Sequence, residues 1–535
     1  MDYQTFIEQT SQRVNQMTSY EKKDCLLNLL RLTPEVKREQ VLQLITDDSQ
    51  VSEKQYQNYQ DYLTKLARKE FHFTSENEEI YNDYYYDWDP DYVVTLYDPE
   101  NICQKITEIL SFAKQLVYQK HYQKAYDLYI HCLQFQFLAY DEDMEETYDY
   151  YLNDLINENF ISKDADNIMS HVLYSIYQTT DSFTACIKKF YHYLGEPISR
   201  QIKIADIFTV GPQPLKNTEK FLAEWIKFLK LNPAPLADRL LLDAVETSSY
   251  FKDPEHLFIL AQEAAKTHPK LYLKCINLFS TLHNQEKAFK VGKDGLKNIP
   301  VKNKVRSQVA EEVLNLAQQL NNTSIIHKAV QDAFYSDPQL DTLFPVLKLN
   351  LFEQEKRQLL HFVRNDSSVD NRTVLLFFLG EFETVYKNVS TDRRALGWST
   401  SDKGMIIPLF LLLLGPIDSS QAADSVLLEV KHRISGSSND SFENEFVIWK
   451  NTVSLNEKSK SQYLKWCKKE VKARAKELII TKFRHHYSRM AALIVTLGEA
   501  EENIGIPNAR AQIIQNYRRE HSRKRNFTAS LDELT

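Results

Sequence analysis

Residues 109–137 read ILSFAKQLVYQKHYQKAYDLYIHCLQFQF, two amphipathic segments joined by a short turn. Apolar side chains recur in each segment at intervals of three and four residues, which places them on one face of an α-helix. Ala113 and Ala125 are small enough to let two such helices approach closely, while Phe112 and Tyr129 fill the space around them. The stretch therefore predicts a pair of packed helices.

This spacing resembles that of the tetratricopeptide repeat. The first helix of that repeat carries a large apolar residue, a leucine and a small residue. The second helix carries a small residue, an aromatic residue and another small residue. The resemblance rests on the predicted packing residues Phe112, Ala113, Leu116, Ala125 and Tyr129. It implies helix pairs stacked side by side.

Two later segments repeat the spacing less regularly. Residues 272–300 keep the closing Pro300, but Gly292 stands where the repeat has an aromatic residue. Residues 313–333 form a third copy, and AQEAAKTHP (261–269) resembles the second helix of another unit. The third copy follows the second by 41 residues, more than the usual 34, so we expect longer helices or turns there. Ordinary amphipathic helices that align by chance remain the alternative for any single unit.

Glycine is scarce, with 11 residues in a chain of 535. Parallel α/β folds and phosphate-binding loops use glycine freely, so its scarcity favours helices. The 30 tyrosines and 28 phenylalanines would suit strands, but most lie in segments with a period near 3.6 residues. We therefore predict an all-α fold, an α-solenoid or superhelix of stacked antiparallel helix pairs.

The net charge of −8 is unevenly distributed. Residues 76–166 contain 21 acidic and 5 basic side chains, a net of −16, whereas residues 458–525 contain 17 basic and 6 acidic ones, a net of +11. Such a separation of charge indicates a charged binding partner, or a contact between the two regions of the molecule, and says little about the fold.

The cysteines lie far apart without CxxC, CxC or CxH pairs, which excludes a zinc ribbon and a dense disulfide framework. The longest apolar run, MIIPLFLLLLGPI (405–417), is too short to cross a bilayer and contains Pro408. The N-terminus has no apolar signal region. We therefore expect reduced thiols and a cytoplasmic protein without a membrane anchor.

Breaks rich in Gly, Pro, Ser and Asn suggest a domain organisation, with VGPQPLKN (210–217) and ISGSSND (434–440) as the clearest breaks. The predicted divisions are an N-terminal helical cap (1–75), an acidic aromatic arm or loop (76–104), irregular helical repeats (105–433), a linker (434–442) and a basic C-terminal helical region (443–535).

A second, looser resemblance covers residues 76–530. The DWDPD-containing arm, AFKVGKDGL (288–296) and the ending HHYSRMAALIVTLGEAEENIG with YRREHSRKRNF look like the helical region that follows SWIM-type zinc fingers in bacterial proteins. The finger requires CxC and CxH pairs, and this sequence has neither. The binding role of the finger is therefore not transferred to this chain.

The acidic arm is marked by Trp88 among Asp87, Asp89 and Asp91. With Asp98, these carboxylates imitate the ligand spacing of a calcium-binding EF-hand loop, but Tyr92 occupies the position that requires glycine. We interpret the segment as a solvated acidic loop whose aromatic residues pack against neighbouring helices.

A basic row is the most suggestive feature for binding. Lys465, Lys469, Lys472 and Lys476 are spaced by three and four residues and so share one helix face, and Arg484 and Arg489 extend the row. A solvated helix face, a nucleic-acid site and a site for an acidic protein or for the chain's own acidic arm are the open interpretations.

Motifs for catalysis are missing: the sequence contains no GxGxxG, GxxxxGK[ST], HExxH or GxSxG. We therefore predict a non-catalytic α-solenoid scaffold that binds a protein partner, with no catalytic residue, cofactor or metal. Nucleic-acid binding through the basic C-terminal helices is the alternative, and an enzyme without a recognisable motif is the third hypothesis. The identity of the partner and the oligomeric state are not encoded in any motif.

Overall fold

The computed structural model describes residues 53–80, 91–141, 146–161, 165–213, 215–392, 396, 402–416, 420–434, 442–481 and 486–534, together with isolated positions between 13 and 34. The chain divides into two compact units, Met1–Leu260 and Ala261–Thr535. The division falls within one helix, Pro254–Glu263, rather than at a predicted break.

The first unit contains helices and a small sheet. Its helices are α1 (Glu53–Ala67), α2 (Ile102–Tyr118), α3 (Tyr122–Gln134), α4 (Leu152–Asn157), α5 (Ala165–Thr179), α6 (Phe183–Leu194), α7 (Ile204–Thr209), α8 (Thr218–Lys230), α9 (Pro235–Thr247) and the start of α10 (Pro254–Glu263). Its strands are β1 (Phe73–Ile80), β2 (Asp91–Tyr97), β3 (Phe137–Asp141) and β4 (Glu146–Tyr150). Short 3-10 turns occur at Pro197–Ser199 and Tyr250–Lys252.

The described part of the second unit is helical. Its helices after α10 are α11 (Lys270–Thr281), α12 (Gln285–Asn298), α13 (Lys304–Gln319), α14 (Thr323–Ser336), α15 (Leu340–Leu347), α16 (Glu353–Asn365), α17 (Arg372–Phe378), α18 (Phe382–Ser390), α19 (Asp402–Leu414), α20 (Gln421–Ile434), α21 (Phe442–Thr452), α22 (Glu457–Thr481), α23 (Tyr487–Asn503), α24 (Ala509–Glu520) and α25 (Arg525–Asp532).

The same turn joins the helices of several neighbouring pairs. Each turn has three residues, the middle one with a positive φ, and the third donates its N–H to a carbonyl five residues earlier, as His121 does to Leu116 at 2.8 Å. The middle residues are Lys120 (φ 66°) in α2–α3, His283 (φ 56°) in α11–α12, Asn321 (φ 54°) in α13–α14 and Gly380 (φ 83°) in α17–α18. The predicted helical repeat fold of antiparallel pairs is confirmed.

The three sequence segments with repeat spacing each form such a pair: α2–α3, α11–α12 and α13–α14. Gly292, which replaces an aromatic residue of the repeat, lies on α12 where α13 packs closely against it. A Cβ atom added to Gly292 would lie 2.5 Å from Cγ2 of Val313. The glycine therefore permits an approach that a larger residue would block.

A mixed four-stranded sheet with the order β2-β1-β3-β4 was not predicted. β1 is antiparallel to β2 and parallel to β3, and β3 is antiparallel to β4. Phe73 and Phe137 are buried, with ring centroids 6.1 Å apart. Where we expected an acidic arm or loop, residues 76–80 and 91–97 form strands. β2 reads DYVVTLY, which is rich in the β-branched and aromatic residues that favour strands, and Pro99 lies beyond its end and so removes no hydrogen bond from the sheet.

In the second unit, α19 lies at the centre of the helices around it. It contains most of the apolar run predicted to be too short for a membrane, and nearly all of its residues are buried against α17, α18, α20, α22 and α23. No helix in the described part of the chain combines the length and apolar character that crossing a membrane requires.

Candidate interaction surfaces

The basic row lies on one exposed face of α22. Lys465, Lys469, Lys472 and Lys476 are all exposed, and none forms an ion pair with another described residue. Eleven residues separate the first lysine from the last, which corresponds to about 16 Å along the helix. The row is therefore a line of cations without compensating charge from the described chain.

The opposite face of α22 explains why the lysines point outward. It is apolar and packs into the unit's core through the buried residues Tyr463, Trp466, Cys467, Val471, Ala475 and Leu478. Because both stripes follow the same helical period, burying one of them exposes the other.

Nearby acidic residues are paired with other cations. Glu501 accepts from Lys468 at 2.7 Å, and Glu477 pairs with Arg474 at 2.9 Å. Glu470 forms a 3.0 Å ion pair with the buried Lys403 of α19. These three carboxylates are thus held by cations other than the four lysines, which form no ion pair of their own with the described chain.

The two arginines predicted to extend the row fall elsewhere. Arg484 lies outside the described residues, and Arg489 lies on α23, where its Nε is 3.1 Å from Oε2 of Glu429. Glu429 also forms an ion pair with Arg433. Arg489 is therefore partly neutralised within its own site and does not continue the lysine row.

Glu429, Arg433 and Arg489 border a cavity of about 370 Å³ between α19, α20, α23 and the chain end. Its walls are mainly apolar, with Pro408, Val426, Leu428, Ala492, Leu493 and Leu534. Burial lowers the pKa of Arg433, whose Nη1 donates to the Gly404 carbonyl at 3.0 Å. Sequence reasoning missed this cavity because its lining comes from distant segments.

The acidic arm is described only at its edges. Asp87, Trp88 and Asp89 lie outside the described residues, and Asp91 is the first residue of β2, opposite Ile80. Asp98 accepts hydrogen bonds from the N–H groups of Ile102 and Cys103 at 2.7 and 2.8 Å. Its carboxylate therefore caps the start of α2, a common role for aspartate.

The predicted packing residues of the first repeat are all buried: Phe112, Ala113, Leu116, Ala125 and Tyr129. The ring of Phe112 meets that of Tyr59 edge-on at 5.2 Å, and Tyr129 stacks on His171 of α5. These residues form core contacts between α2, α3 and their neighbours, and they offer no surface to a ligand.

Two of the buried cysteine thiols are poorly suited to act as nucleophiles. Burial raises the pKa of the Cys132 and Cys186 thiols to about 12, which keeps them protonated and poorly nucleophilic near neutral pH. Among the described residues, no group of three or more His, Cys, Asp or Glu is arranged to hold a metal ion.

Comparison with known proteins identifies no family. No protein-family model matches the chain, and no curated protein matches it either. The chain is similar to a solved structure described as a "circular tandem repeat protein with novel repeat topology and enhanced subunit contact surfaces", with 11% identity over 94% of this chain and 85% of that chain. The TM-score is 0.13, so this similarity carries no argument about fold or function.

Proposed function

We propose that the protein is a non-catalytic interaction scaffold and that the basic row of α22 binds an acidic helical segment of a protein partner. The observation that supports this proposal most is the exposure of four aligned lysines without ion pairs in the described chain. An acidic helix with carboxylates at the same intervals of four, three and four residues matches them one to one, since both helices rise about 1.5 Å per residue.

A helical partner fits this surface better than a nucleic-acid backbone. The row is a single straight line about 16 Å long, and the chain as a whole carries a net charge of −8. A phosphate backbone would be repelled by the acidic remainder of the molecule, whereas a short acidic segment contacts only the row. Nucleic-acid binding is the second candidate, favoured by the same lysines.

The cytoplasm is the compartment we propose for this scaffold. Five of the six cysteines are buried and none forms a disulfide: Cys103, Cys132, Cys186, Cys275 and Cys467 are the buried ones. Free thiols in this number suit a reducing environment.

The test compares two labelled probes by fluorescence anisotropy on the full chain. One is a 20-residue alanine-rich helical peptide with glutamates at four positions spaced by four, three and four residues, and the other is a 20-nucleotide single-stranded RNA. We expect the peptide to bind and the Lys465→Glu, Lys469→Glu, Lys472→Glu, Lys476→Glu variant to bind it about a hundredfold more weakly, since each exposed pair contributes up to about 1 kcal/mol.

A matched control carries the same charge change on exposed lysines outside α22: Lys266→Glu, Lys270→Glu, Lys297→Glu and Lys328→Glu. It should bind the peptide like the unaltered chain. Preferential, salt-dependent binding of the RNA through the same four lysines would replace the proposal with nucleic-acid recognition. Binding of neither probe would refute both.

A further inference from the structure

Asn277 of α11 and Asn315 of α13 occupy the same position in two consecutive helix pairs. Each lies six residues before the positive-φ residue of its turn, His283 in one pair and Asn321 in the other. Both side chains are exposed, and α11 packs against α13, so the two asparagines line one cleft.

This cleft has a volume of about 320 Å³ and a polar lining. It lies wholly within residues 215–392, which the structure describes without a gap. Its polar lining includes Asn277, Ser280, Gln285, Glu312, Asn315 and Gln319. None of these side chains forms a hydrogen bond or ion pair with another side chain of the described chain.

Glu312 gives the cleft its charge. Its carboxylate is half-buried on α13, faces the cleft and has no described cation as a partner. Lys274, at the equivalent position of α11, is not part of the lining. An unpaired carboxylate among neutral amides attracts a positively charged group, and charge-assisted hydrogen bonds are about twice as strong as neutral ones.

A second acceptor lies beside the same cleft. Gln285 begins α12, and its Oε1 is buried without a hydrogen-bond donor in the described chain. Buried acceptors are nearly always satisfied in folded proteins, so this oxygen has an unmet preference for a donor. A lysine ammonium or an arginine guanidinium carries several donors and no acceptor, so it can pair with Glu312 directly and with the Gln285 amide oxygen once that side chain turns toward the cleft.

We propose that this cleft binds an extended peptide segment through one lysine or arginine side chain, held by Glu312 and Gln285. Asn277 and Asn315 then pair with the peptide main chain, because each amide offers both a donor and an acceptor to a backbone N–H and C=O. The site differs from the basic row in the sign of the charge that it selects, and it stands whether or not the row binds an acidic helix.

The probe is a phage-displayed library of random 12-residue peptides, selected on the full chain at moderate salt. We expect enriched peptides to carry Lys or Arg and to bind the Glu312→Gln variant about tenfold more weakly, as the loss of a charge-assisted contact predicts. The Asn277→Ala, Asn315→Ala variant should bind the same peptides more weakly, whatever their side chains, because it loses the contacts to the peptide main chain.

Glu311→Gln is the matched control, because it removes a carboxylate from the neighbouring position of α13 that does not line the cleft. It should leave peptide binding unchanged, and circular dichroism should show that each variant stays folded. The proposal fails if no peptide is enriched, if the enriched peptides lack basic residues, or if Glu312→Gln and Glu311→Gln bind them equally well. Altering the lysines of α22 should have no effect on these peptides.

Discussion

Lys403 of α19 and Glu470 of α22 form an ion pair, with 3.0 Å between Nζ and Oε2. Only 5% of the lysine side chain and 13% of the glutamate side chain are exposed. Because Glu470 points from α22 toward α19, the pair helps to fix the rotation of α22 about its axis. The lysine row therefore faces outward partly because this charge pair, together with the apolar stripe, holds the other side of the helix inward.

Breaking the ion pair between Lys403 and Glu470 should destabilise the fold. Lys403→Met leaves a buried carboxylate without a partner, and we expect the free energy of unfolding to fall by about 3–5 kcal/mol in urea titrations. The double variant Lys403→Met, Glu470→Leu should recover most of the loss, because no buried charge remains. Lys460→Met, which removes an exposed pair with Glu457, should cost less than about 1 kcal/mol. A loss of similar size for both single variants would contradict this account.

The close approach at Gly292 predicts a coupled pair of substitutions. Gly292→Ala gains about 1 kcal/mol of helix propensity but places a methyl group 2.5 Å from Cγ2 of Val313. Overpacking costs about 1–3 kcal/mol, so we expect net destabilisation in urea unfolding. Adding Val313→Ala removes the obstructing methyl. The double variant should therefore lose less free energy of unfolding than the sum of the losses in the two single variants. Additive losses would show that the helices do not meet at this point.

The shared turn geometry predicts opposite effects for two substitutions. Lys120 holds φ 66° in the turn between α2 and α3, a conformation that costs a side-chain-bearing residue about 1 kcal/mol relative to glycine. Lys120→Gly should therefore raise the free energy of unfolding by up to about 1 kcal/mol. Gly380→Ala, at the same position of the α17–α18 turn with φ 83°, should lower it by a similar amount. If Lys120→Gly and Gly380→Ala both raised or both lowered the free energy of unfolding, the two turns would not be equivalent.

Asp243 predicts a dependence of stability on pH. Burial raises the pKa of its carboxyl to about 6, while one of its oxygens accepts the Ile204 N–H at 2.7 Å. Between the unfolded pKa near 4 and the folded value near 6, the folded state binds more protons, so stability falls as the pH rises through this window. The loss is complete above about pH 6 and amounts to roughly 3 kcal/mol at most.

Asp243→Asn keeps an acceptor for Ile204 and removes the buried charge. We expect the fall in stability of this variant between pH 4 and 7, followed by thermal unfolding, to be smaller than that of the unaltered chain, because the raised pKa values of Glu158, Glu311 and Glu499 still contribute. Asp370→Asn, at an exposed position, serves as the control and should keep the fall. If the Asp243→Asn variant lost as much stability across the window as the unaltered chain, Asp243 would not be the source of the dependence.

The helix pairs were predictable because their signal is local. The spacing of Phe112, Ala113 and Ala125 lies within one stretch of sequence, and these residues pack between neighbouring helices. The α17–α18 pair escaped notice because α17 has only seven residues and is buried without interruption from Val374 to Phe378, so it shows no amphipathic pattern.

The sheet and the pockets were not predictable for the opposite reason. Phe73 and Ala139 lie side by side in parallel strands although 66 residues separate them, and no local pattern encodes that pairing. The ion pair between Glu429 and Arg489 likewise joins distant helices, so the row of cations was predicted to be longer than the structure makes it. Asn277 and Asn315 could have been found from the sequence by aligning the two turns, because each lies six residues before the positive-φ residue of its turn.

A charge-swap titration tests the scaffold proposal most directly. The Lys465→Glu, Lys469→Glu, Lys472→Glu, Lys476→Glu variant should lose affinity for the glutamate-bearing helical peptide and gain affinity for the same peptide with lysines at those four positions, because the sign of the row alone has changed. The unaltered chain should show the reverse preference, and both affinities should weaken with salt. If the glutamate peptide binds both proteins equally, the lysine row of α22 is not the surface that recognises an acidic partner.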